Sequence, residues 1–161
     1  MSHHWICDSC GQPILKPEDG WVEWTKARVG ENLWVVTQMR LVHHCTASPK
    51  APDGTCQFDE ADEFQNDKAT VSDRPLKDYL GSDGLMRLLE HAADPAFKII
   101  DVIGMLKRIQ VPGYDQAKGF FDRAIQEGVI ELNQPKGFYT LYEIEAVIEH
   151  YDSGAIESYG E

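Results

Sequence analysis

"WICDSCGQPI" (residues 5–14) and "RLVHHC" (residues 40–45) decide how the first third of this chain is read. The first stretch holds Cys7 and Cys10 two residues apart, with Gly11 placed to allow a chain reversal. Two thiolates at that spacing can reach a single ion across a tight turn. A redox dithiol shares the spacing, but it belongs at a helix start within an α/β unit. Here "GQPILKPEDG" (11–20) follows, and that segment cannot begin a helix. The second stretch ends a strand-like run with His43, His44 and Cys45, and "DGTCQFDE" (53–60) adds Cys56.

Thiolate and imidazole ligands in a set of four suit zinc. The paired "CDSC" with ligands some forty residues later resembles a zinc ribbon, and that resemblance implies a structural Zn2+ in a small sheet module. In an extended strand His43 and His44 point to opposite sides, so one of them at most reaches the ion, and Cys45 shares the side of His43. The expected ligands are Cys7, Cys10, His44 and Cys56, because His44 lies nearest the strand end and Cys56 closes the next loop. The rival set is the four cysteines, Cys7, Cys10, Cys45 and Cys56.

Around these residues the pattern is β. "GWVEWT" (20–25) alternates apolar and polar residues, and "LWVVTQMRLVHH" (33–44) reads as one long strand or two. Turn-like "KPEDG" and "RVGEN" flank the first strand, so a short antiparallel meander is expected. Trp5, Trp21, Trp24 and Trp34 are expected to roof its small core. A module of this size generally needs a metal or a disulfide to stay folded.

Residues 59–78 are acidic and aperiodic and read as a connector; residues 79–152 then turn helical. Ser82 or Asp83 is placed to cap one helix, and Asp94 with Pro95 to open the next. Ile99, Val102, Ile103, Leu106 and Ile109 share a face of that second helix. A third helix is expected over 114–127, with Gly128 at its C-terminal cap. "VIELNQPKGFYTL" (129–141) reads as a hairpin, and Thr140 with Glu143 forms a capping box for the last helix. This order of helix, helix, turn, helix, hairpin and helix resembles a winged helix-turn-helix domain. The expected layout is α+β: a zinc-binding β module over 1–58, the connector, a helical domain over 79–152 and a flexible tail over 153–161.

A net charge of −12 works against polyanion binding, since phosphate contacts draw on Lys and Arg. The split is even-handed: residues 1–60 carry 5 basic and 8 acidic side chains, and the rest carry 10 and 19. No apolar run reaches the roughly 20 residues of a membrane span, and the N-terminus lacks a signal-peptide pattern. Reduced thiols and a cytoplasmic location are therefore expected. "LVHH" after a cysteine pair also resembles the opening of an HNH nuclease, which implies a further asparagine and histidine at the metal. The next such residues are Asn66 and His91, the latter within a helical pattern. Neither H-x-E nor H-E-x-x-H occurs. The expectation is a non-enzymatic, regulatory zinc protein whose partner is another protein. A nucleic-acid-binding winged-helix regulator is the alternative, and an HNH-like nuclease a more distant one.

Overall fold

The computed structural model describes residues 3–152, so the expected flexible tail lies outside the described residues. The fold is mixed α+β, with two small antiparallel sheets and a set of helices. Strands β1 (Trp5–Ile6) and β2 (Pro13–Ile14) form the two-stranded sheet. The three-stranded sheet contains β3 (Gly20–Arg28), β4 (Trp34–His43) and β5 (Thr70–Pro75), in the order β4-β3-β5.

Strand β3 is central, and the stretch Val22–Thr25 is buried on both faces. Val22 and Trp24 join the apolar core, while Glu23 and Thr25 are buried on the opposite face. The ladder to β4 slips between Thr25 and Lys26, where Thr37 becomes the extra residue of a bulge. Trp24 is buried, whereas Trp34 is exposed and Trp5 and Trp21 are half-buried.

The 59–78 segment, expected as a connector, is largely structured. Helix α1 (Glu60–Asp67) is capped by Asp59, whose carboxylate accepts the N–H groups of Ala61 and Asp62. Strand β5 then pairs with β3 from Trp21↔Pro75 to Lys26↔Thr70. Its polar sequence suits an edge strand, and a proline at its end leaves no central ladder bond missing.

Helix α2 (Gly81–Ala93) and helix α3 (Ile99–Gln110) pack against the sheet. Leu80 rather than Ser82 or Asp83 occupies the N-cap of α2. Asp94 opens no helix: it is the C-cap of α2, its carboxylate accepts the Ala96 N–H in a local turn, and α3 begins only at Ile99. This turn drives Phe97 into the core and lets the Ala96 carbonyl receive the Val36 N–H at the outer edge of β4.

Helices α4 (Tyr114–Ala117) and α5 (Phe121–Gln126) are joined by a 3-10 turn over Lys118–Phe120, where one longer helix was expected. Among the described residues no strand forms in the expected hairpin; Ile130 and Tyr139 instead enter the core as loop residues. Helix α6 (Leu141–Tyr151) starts at Thr140 with the capping box in place.

Two hydrophobic clusters result. One joins the sheets to α2 and α3, from Cys7 through Val22, Leu41, Tyr79 and Leu88 to Ile109. The other gathers α4, α5 and α6 around Phe121, Tyr139, Ile144 and Val147. No helix among the described residues is long and apolar enough to cross a membrane.

Candidate metal centre

The centre is assembled from three pieces of chain. β1 and β2 close a turn in which Cys7 N–H donates to the Gln12 carbonyl at 3.0 Å and Gly11 N–H donates to the Cys7 carbonyl at 2.9 Å. Gly11 has φ +75°, a left-handed conformation that favours glycine. The turn docks on the edge of β4: Asp8 N–H donates to the Leu41 carbonyl, and Leu41 N–H donates to Asp8 Oδ2, each at 2.8 Å. That docking brings both knuckle cysteines to the end of β4, where His43 is the last strand residue.

The third piece is the loop after β4. Cys56 is fully buried, and its carbonyl receives a hydrogen bond from Arg40 Nη2 at 3.0 Å. Arg40 also pairs with buried Glu23 at 3.3 Å and stacks 3.6 Å from the Phe58 ring centroid. Glu23 in turn accepts the Phe58 N–H at 2.9 Å. Burial pushes the Glu23 carboxyl up, against the opposing pull of the Phe58 amide and Arg40. Glu23 and Arg40 thus fasten the Cys56 loop to the sheet.

The donor atoms of Cys7, Cys10, His43 and Cys56 all lie within 4.8 Å of one another. Cys10 Sγ is 3.4 Å and Cys56 Sγ 3.9 Å from His43 Nδ1. Zinc bonds of about 2.0–2.3 Å in a tetrahedron require donor separations of about 3.5–3.8 Å. The observed spacings bracket that range, so this donor set is compatible with a metal ion.

His43, rather than His44, is the histidine brought into this cluster. It pairs in register with Gly20, as its face-mate Leu41 pairs with Val22, and is buried. Its Nε2 lies 3.1 Å from the Pro13 carbonyl, which accepts a hydrogen bond from the Nε2–H tautomer, in which the Nδ1 lone pair faces the sulfurs. His44 turns the other way, stacks on Trp21 with ring centroids 5.2 Å apart, and bonds Thr46 Oγ1 through Nδ1 at 2.7 Å. Position nearest the strand end favoured His44; the pleat of β4 and the Pro13 carbonyl select His43. Cys45 is exposed and lies outside the four-residue cluster.

Outer partners surround the sulfurs. The His43 N–H donates to Cys7 Sγ at 3.4 Å, and the Ser48 hydroxyl lies 3.0 Å from Cys56 Sγ. Burial pushes the Cys7 thiol up, but the backbone N–H groups of Cys10, His43 and Ser9 outweigh it and bring the thiol to about 7. For Cys10, burial and then the neighbouring Cys7 and Cys56 sulfurs push the thiol up to about 11, against the Gln12 backbone. Crowded thiols resist losing all their protons unless a cation takes up the charge, which is the electrostatic demand a metal ion meets.

Glu23, Arg40, Ser48 and the Pro13 carbonyl could not be linked to the cysteines from sequence, because each acts through tertiary contact. His91 is remote in role: its Nε2 bonds the Tyr79 hydroxyl at 2.8 Å and its ring packs on Trp24 and Phe97. No family model matches the chain, and no curated protein or solved structure matches it either.

Proposed function

We propose that Cys7, Cys10, His43 and Cys56 hold one structural Zn2+ and that the protein is a non-enzymatic, regulatory binding module. The carrying observation is the closed donor set. Four protein ligands fill a tetrahedron, and a catalytic zinc keeps one position for water or substrate. Soft sulfur donors with one imidazole disfavour magnesium and calcium, which take oxygen.

The partner we propose is another protein. The net charge of −12 opposes a nucleic-acid backbone. Leu85, Met86 and Leu89 on α2 and Leu141 and Tyr142 on α6 are exposed, and exposed apolar side chains on helices suit contact with a protein. The winged-helix and zinc-ribbon likenesses of the sequence remain part of this proposal as organising analogies, with the α4–α5 pair in the place of the third helix.

Cobalt replacement tests the closed site. The Co2+ protein is expected to show the intense visible bands of four-coordinate cobalt, unchanged by added azide or cyanide. A spectrum that shifts on anion addition would reveal an open position and favour catalysis. Retention of DNA or RNA that weakens steeply with salt would favour the nucleic-acid alternative.

A further inference from the structure

Arg108, in the last turn of α3, joins the metal knuckle to the second hydrophobic cluster. Its Nε donates to Asp115 Oδ1 at 2.6 Å, and its Nη1 donates to Asp8 Oδ2 at 2.7 Å. Its Nη2 donates to the Ile6 carbonyl at 2.9 Å. Asp115 completes the ring by accepting the Ile6 N–H on Oδ2 at 2.7 Å. Asp115 is only 2% exposed and sits on α4 between Tyr114 and Ala117, both members of the second cluster.

The clasp uses backbone groups that the β1–β2 ladder leaves over. Cys7 and Gln12 are joined by a ladder bond, so the neighbouring pair Ile6↔Pro13 turns its polar groups outward. Ile6 therefore offers both its N–H and its carbonyl away from β2, and Arg108 and Asp115 take them. Ile6 and Asp8 flank Cys7 directly. Their positions depend on the conformation that the Cys7–Cys10 turn holds.

We infer that metal occupancy is transmitted through Arg108 and Asp115 to the seating of helices α4–α6. The inference rests on the zinc reading above. With the ion in place, Ile6 and Asp8 are fixed where they satisfy the buried pair. Without it, the turn loosens and the guanidinium and carboxylate lose three partner atoms. A buried pair left short of partners favours solvent, and α4 is the element that can move toward it. Metal loss would thus alter the helical surface assigned above to the partner. Linkage requires the reverse effect too: a weakened clasp must weaken zinc binding by the same factor.

Hydrogen exchange on the full chain, with and without zinc, tests this alongside chelator competition for zinc affinity. Two variants are compared with wild type: Arg108→Met, and Arg108→Met combined with Asp115→Leu, which replaces the pair by apolar groups and so leaves no buried charge unpaired. Removing zinc from wild type should speed exchange in 5–14 and in 114–126. Arg108→Met should bind zinc about tenfold more weakly, the scale of a lost outer partner. In the double variant 5–14 should still respond to zinc while 114–126 no longer does. A 114–126 response that persists in the double variant, or is missing from zinc-binding wild type, overturns the coupling and leaves the zinc reading intact. Failure of wild type to take up zinc overturns both.

Discussion

The imidazole of His43 points Nε2 at the Pro13 carbonyl, 3.1 Å away, and so presents Nδ1 to the sulfurs of Cys10 and Cys56. The Pro13 carbonyl thereby favours the ring tautomer whose Nδ1 lone pair faces the sulfurs, the orientation a metal ligand would need. If about 12 kcal/mol of zinc binding is shared by four donors, each accounts for roughly 3 kcal/mol, or about a hundredfold in affinity. His43→Ala should weaken zinc by about that factor. His44→Ala should leave the affinity within about twofold, because the His44 ring stacks on Trp21, bonds Thr46 and lies outside the four-residue cluster. Competition with a coloured chelator reads both.

Cys7 and Cys56 belong to the same hydrophobic cluster as Leu88 and Val102 of the helices. Chelation should therefore lower the melting temperature of the sheet and of α2–α3 as one transition. Tryptophan fluorescence and far-ultraviolet circular dichroism, followed together on heating, check this. Two separated transitions for the tryptophans and the helical signal would show that sheet and helices melt independently.

Gly84 lies in the first turn of α2 directly against the backbone of Tyr79. A Cβ there would sit 1.9 Å from the Tyr79 carbonyl carbon, and backbone cannot step aside as a flexible side chain can. Gly84→Ala should destabilise the fold by about 1–3 kcal/mol, as overpacking does, despite alanine's higher helix propensity. Urea unfolding supplies the comparison.

Thr140 accepts the Glu143 N–H on its hydroxyl, and Glu143 Oε2 accepts the Thr140 N–H at 2.7 Å. Thr140→Ala should cost about 1 kcal/mol by removing the hydroxyl's part in this cap. The loss should register in exchange rates at the start of α6.

His91 is held below the ordinary imidazole range, by burial above all. The folded chain favours the neutral ring, whose Nε2 can accept from the Tyr79 hydroxyl. The unfolded chain takes up its proton first as the pH falls. Stability from this group is therefore complete above about pH 6.5 and declines below it, toward the lowered folded value. His91→Gln keeps an acceptor for Tyr79 and removes the titration. The difference in unfolding free energy between the two proteins should change with pH below about 6.5 and be constant above it.

Local signals and tertiary choices divide the fold's legibility. The capping box at Thr140 and strands β3 and β4 were readable because adjacent residues determine them. The face expected on α3 holds in part: Val102 and Ile109 are buried, but Ile99 is exposed and Met105, outside that expected face, is buried. Strand β5 was not, since an edge strand such as Thr70–Pro75 needs no alternating apolar pattern. Asp94 and Pro95 carried a good helix-start signal, yet Phe97 gains more by entering the core, and α3 starts later. At the metal centre the cysteine spacing was legible. The choice between adjacent histidines was not, because it depends on the docking of a distant turn against the strand edge.

X-ray absorption at the zinc edge of the purified full chain tests the central claim most directly. The account predicts zinc surrounded by three sulfurs at about 2.3 Å and one nitrogen at about 2.0–2.1 Å. A shell of four sulfurs, a shell containing oxygen, or protein that folds without holding zinc would contradict it.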